Sequence, residues 1–265
     1  DYVRGMCHDI EDPTFDATAV ATNARAQVRP IHRPPRTPSD RHPHCAWTVV
    51  IDDSHPEVKG LPPLAVIEKT IAAGWELAPI DPSDEGQADY SGALVSDVDF
   101  AAFSHSALVR IAEEVCLQMH LLNLSFVLAV QQRATDDQQA RDICTKQLIG
   151  LAGIAAERIH KALKLPAGVD GVLRTMELHP LFNPAGYVDA DFADGRVQVH
   201  RSAAHDDGAW IALCSPESVK PVQAIATAVD PLVEVHVDGT DTDWTLELTV
   251  ADAPIKEQSE VEVVR

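Results

Sequence analysis

The chain reads as an α+β protein with three parts. A proline-rich, extended N-terminal arm precedes a central buried helical hairpin, and a C-terminal antiparallel sheet with one helix on its face follows. Three observations predict this. Prolines crowd the stretch from Pro30 to Pro43. Apolar residues recur at helical spacing over two long runs between Ser104 and Leu163. Beyond about residue 176 the apolar period falls to two, with Asp-Gly turn chemistry between the runs.

Residues 1–60 form the predicted arm. Pro30, Pro34, Pro35, Pro38 and Pro43 break helices and favour extended backbone. Arg29, Arg33, Arg36 and Arg41 lie among them, making this the most basic part of an acidic chain. An arm of that character is expected to dock on an acidic surface, either its own domain's or a neighbouring subunit's. The run from Ala46 to Asp52 is strand-like.

Residues 61–100 hold a short helix and a polar loop. Pro62 and Pro63 suit a first helical turn, Leu64, Ile67 and Ile71 give it an apolar stripe, and Gly74 suits a left-handed stop. The polar stretch from Asp81 to Gly92 predicts a surface loop.

Residues 101–175 carry the helical hairpin. The first helix, over 104–132, shows a stripe of Leu108, Ile111, Val115, Met119, Leu122 and Phe126. From Val115 to Val130 it is apolar nearly all round, which predicts a place in the middle of a domain. Its polar insertions, and an apolar length short of about 18 residues, argue against a membrane span. Thr135 to Gln138 has capping-box spacing and should open a second helix running to Leu163, with Pro166 and Gly168 beyond its end.

Residues 176–252 make the sheet layer. Tyr187–Phe192 and Arg196–Arg201 flank Asp194-Gly195 as a hairpin. Trp210–Cys214 reads as a short strand, and Pro216–Val229 as a helix capped by Ser215 and kinked at Pro221. Leu232–Val237 and Trp244–Val250 form a second strand pair. Residues 253–265 are a tail. Opening on Asp1 and closing on the strand-like Val261–Val264, the sequence reads as a processed chain or as a window on a longer one.

A formal charge of −20 argues against a nucleic-acid backbone or an anionic membrane as partner. Five scattered cysteines are a poor disulfide framework and point to a reducing, cytoplasmic setting. Phosphate-loop, dinucleotide, zinc-protease and nucleophile-elbow signatures are absent from the sequence.

Two constellations carry candidate chemistry. Cys7-His8 and His42-Pro43-His44-Cys45 gather thiol and imidazole ligands suited to zinc or iron. The alternatives are solvated loop histidines beside buried thiols, or a thiol activated by its histidine neighbour. The second constellation is His120, set in an apolar helix with Gln118 and Asn123 as hydrogen-bonding neighbours, which is the expected lining of an internal pocket. Glu157 and His160 have di-iron bundle spacing, but no second such pair accompanies them.

The sequence therefore predicts a metal-binding enzyme or enzyme subunit acting on a small molecule. In it Cys7, His8, His42, His44 and Cys45 hold zinc or iron. Two alternatives stand beside it: a non-catalytic subunit of a homo- or hetero-oligomer whose arm wraps a neighbour, and a small-ligand-binding module.

Overall fold

The computed structural model describes residues 4–91, 97–256 and 258, and the architecture over them is α+β. A π-helical turn, Gly5–Ile10, leads into α1 (Glu11–Thr22), and a β-hairpin of β1 (Ala26–His32) and β2 (Ala46–Ile51) follows. A short α2 (Pro62–Ile67) precedes two long helices, α3 (His105–Gln131) and α4 (Asp137–Leu163). The last part contains α5 (Gly168–Glu177), β3 (Asp189–Ala193), β4 (Arg196–His200), α6 (Ala203–Asp207), α7 (Lys220–Val229), β5 (Val233–Gly239) and β6 (Trp244–Val250).

The two long helices start where their caps dictate. Ser104 accepts from the Ala107 amide at the head of α3, and Asp136 accepts from the Gln139 amide at the head of α4. The cap of α4 is thus Asp136, one residue past the expected Thr135, whose own amide donates to the Gln139 side chain at 2.8 Å. Lys164 ends α4 in the left-handed conformation at φ 52°. Among the described residues α3 alone is long and apolar enough to cross a membrane by length and composition, with a mean hydropathy of 1.3 over its most apolar window. The length argument from sequence against a span therefore falls. Only 28% of that window is buried, so the helix is not enclosed all round.

β3, β4, β6 and β5 form an antiparallel sheet in that order. The β3–β4 hairpin turns through Asp194 and Gly195 at φ 49° and 75°, a pair of positive values that matches the right-handed twist of its strands. α5 and α7 pack against the sheet, and α4 lies along α7. One continuous core runs from Leu117 and Leu148 through Met176, Tyr187 and Ile225 to Trp244 and Leu246.

Four local expectations are corrected. Residues 5–22 are helical rather than extended: the π-helical turn runs directly into α1, and Pro13 sits just past that wider turn, an irregularity in the hydrogen-bond ladder that tolerates its missing amide. α2 ends at Ile67, and Gly74 closes a separate 3-10 turn without a left-handed φ. Trp210–Leu213 is a 3-10 turn, not a strand, since a short apolar run has no period to distinguish the two. α7 starts at Lys220, uncapped by Ser215, with Pro221 in its opening turn rather than at a kink. The strand-like 261–264 run lies outside the described residues.

Candidate functional site

The fold brings the two halves of the Cys/His constellation toward each other without converging them. The π-turn is tied to the hairpin by His8, whose Nε2–H donates to the Pro34 carbonyl at 3.1 Å while Nδ1 accepts from Arg33 at 3.3 Å. Arg33 also pairs with Asp12 at 2.7 Å and stacks over the Trp47 ring, which meets Phe15 edge-on. The Cys7 thiol is pushed up to about 11 by burial first, then by Glu11 and Cys45. His42, His44 and Cys45 are exposed, and both nitrogens of His8 are already bonded. Among the described residues no group of three or more His, Cys, Asp or Glu side chains has the geometry to hold a metal ion.

The second constellation divides. His120 is fully buried between the rings of Tyr187 and Trp210, at 5.1 and 5.3 Å, and its Nε2–H donates to the Asn183 carbonyl at 2.8 Å. Burial holds its pKa down at about 4, so the ring is neutral at physiological pH. Asn123 is 2% exposed, one turn along the same face. Gln118 is exposed, a correction that helical geometry explains: two residues from His120 on a 3.6-residue turn puts it round the opposite side. His120 Nδ1, both amide heteroatoms of Asn123 and Trp210 Nε1 are buried without a protein hydrogen-bond partner among the described residues.

A separate concavity lies elsewhere, where the helices meet the sheet layer. A cleft of about 550 Å³ opens between the N-terminal half of α4, α6, the 215–220 turn and the β5–β6 tip. Arg141 and Lys146 reach it from α4 and Lys220 from the start of α7, while Ser215, Ser218 and Thr242 supply hydroxyls. His205 lies on its wall. The His205 Nδ1 accepts from the Ser202 amide at 3.2 Å in a capping box, which leaves the proton on Nε2. That Nε2–H is buried and unpartnered among the described residues. Burial holds the His205 pKa below its ordinary value, against the pull of Asp243 and Asp206. Asp142, Glu217 and Asp241 alternate with the cations around the cleft.

Sequence reasoning passed over this cleft because its residues come from four separated segments. The one local signal was Ser202-x-x-His205, capping-box spacing with histidine in the returning position. No family model, curated protein or solved structure matches the chain.

Proposed function

We propose that the protein binds a small polar molecule bearing at least one negative charge, seated in the cleft between α4 and α7. The supporting observation is the lining. Arg141, Lys146 and Lys220 line one cleft beside the His205 ring, among the carboxylates of Asp142, Glu217 and Asp241, in a chain whose net charge is −20. The volume falls in the range of about 300–1,000 Å³ that small-molecule sites occupy. Guanidinium and ammonium groups recognise carboxylate or phosphate oxygens by charge-assisted hydrogen bonds. The interleaved Asp142, Glu217 and Asp241 suit hydroxyl or ammonium groups on the same ligand.

The test is a thermal-shift screen of small organic acids and phosphate esters, followed by calorimetry on any hit. A ligand at about 100 times its Kd should stabilise the fold by about 2.7 kcal/mol. Arg141→Ala, at an exposed position, should weaken binding by about 10-fold with unchanged stability. A screen without hits, or a hit indifferent to Arg141, refutes the reading.

A second reading has zinc or iron at the junction of the π-turn and the hairpin, and the His8–Pro34 hydrogen bond that ties the Cys7-His8 turn to the hairpin favours it. Cys45 with His42 and His44 would complete the ligands as the loop closes on Cys7. Elemental analysis showing about one equivalent of metal per chain, lost in Cys45→Ser, is the expected result for that reading. The five unpaired thiols support a reducing, cytoplasmic setting for either.

A further inference from the structure

The β1–β2 hairpin stands apart from the four-stranded sheet as a two-stranded ribbon. α1 packs on it from one side and buries Ala26 and Val28 of β1. Their cross-strand partners, Ile51 and Val49, are left 55% and 60% exposed, and Val50 is 45% exposed. β2 is therefore an edge strand of branched aliphatic residues, open to water along its outer side. Proteins guard such edges with lysine, proline, bulges or a covering element, and between Ala46 and Ile51 there is no charge and no proline. A two-stranded ribbon is marginal in water by itself; here α1 supplies the packing that holds it, while the outer edge of β2 stays unpaired.

We propose that the free edge of β2 pairs antiparallel with β2 of a second copy of this chain, about a two-fold axis at Val49. In that register Val49 meets its own counterpart, Trp47 faces Ile51 of the second copy, and Thr48 faces Val50. Beyond the strand, Asp52 faces Ala46 and Asp53 faces Cys45, so the pairing opposes no like charges. A strand of β1's character could not do this, because Arg29 near its centre would lie close to its own copy. The contact joins two hairpins into a four-stranded sheet, with each α1 on its own half. It is isologous, and so it closes at a dimer. The proposal is independent of what the cleft binds.

Sedimentation velocity over a dilution series of the full chain tests it, alongside hydrogen exchange of the Ala46–Ile51 amides. The expected result is a dimer at high concentration, with slower exchange of those amides as concentration rises. Val49→Lys places two ammonium groups together on the axis and should give the monomer sedimentation coefficient with an unchanged circular dichroism spectrum. A wild-type monomer at every concentration overturns the proposal and leaves the edge to an extended peptide of another protein. A dimer that survives Val49→Lys also overturns it, by moving the contact to another surface. Should the variant lose structure, the exchange experiment on the wild type decides alone: rates independent of concentration overturn the proposal.

Discussion

The Tyr187 hydroxyl donates to Asp207 at 2.9 Å, and the same carboxylate accepts the Ile71 and Ala72 amides at 2.8 Å each. One side chain at the end of α6 thus fixes both the aromatic ring that flanks His120 and the turn that follows α2. Burial, with Asp207 beside it, drives the Tyr187 pKa upward, so the phenol stays protonated and remains the donor. Tyr187→Phe should lose one charge-assisted hydrogen bond, about 1.5–2 kcal/mol in urea unfolding. Asp207→Ala leaves three donors without their acceptor and should cost about 3 kcal/mol or more. It should also open residues 61–75 to limited proteolysis; equal cuts in variant and wild type would show that the clasp does not hold that segment.

Stability should fall as solution is acidified from pH 7 to pH 5. Burial holds His120 and His179 down at about 4, against an ordinary value of 6.5. Below about pH 6.5 the unfolded chain takes up protons that the folded rings refuse, so each lowers stability as pH drops, until the loss is complete below about pH 4. Between pH 7 and pH 5 linkage gives about 2 kcal/mol for each ring. Urea midpoints at three pH values measure this, and a flat profile would contradict the neutral, buried state of both.

The Asn123 amide sits in the core with neither heteroatom bonded to protein among the described residues. A buried amide left so costs about 1–3 kcal/mol. Asn123→Ala removes both unpaired heteroatoms without adding bulk and should leave stability unchanged within about 1 kcal/mol. A loss of stability instead would mean that the amide is hydrogen-bonded to buried water or a small polar guest.

Thiol labelling should separate the cysteines by environment. Cys45 is exposed, whereas Cys144 and Cys214 are buried, with burial pushing their thiols up to about 11 and about 12. Iodoacetamide at neutral pH should therefore modify Cys45 at least about 10-fold faster than Cys144 or Cys214. Peptide mass spectrometry reads the order; equal rates would mean that the core opens on the labelling timescale.

The long helices were legible because their caps and periods are local properties. The start of α3 at Ser104, the Thr135–Gln138 cap spacing, one residue short of the true cap Asp136, and the Asp194-Gly195 turn each show within four residues. The face of α3 was harder to read. Its apolar residues nearly encircle it, so the stripe through Val115 and Leu122 was indistinguishable in sequence from the true buried face through Leu117, His120 and Leu124. Val115 is 55% exposed. The helical start of the chain was missed because the prolines of residues 30–43 coloured the reading of everything before residue 60. His120 and Asn123 were legible as buried polar groups in apolar surroundings. The cleft was not, since Arg141, His205 and Lys220 share no local pattern and meet only in three dimensions.

The Asp207 clasp also sets an order on the growing chain. Ile71 and Ala72 leave the ribosome more than a hundred residues before the carboxylate that receives their amides. Until α6 is synthesised, Ala72, buried in the finished protein, lacks one of the elements that its turn packs against. The nascent turn at Ala72 therefore waits about 7–27 seconds for its clasp at ordinary translation speeds of roughly 5–20 residues per second, an interval in which chaperone binding competes with aggregation.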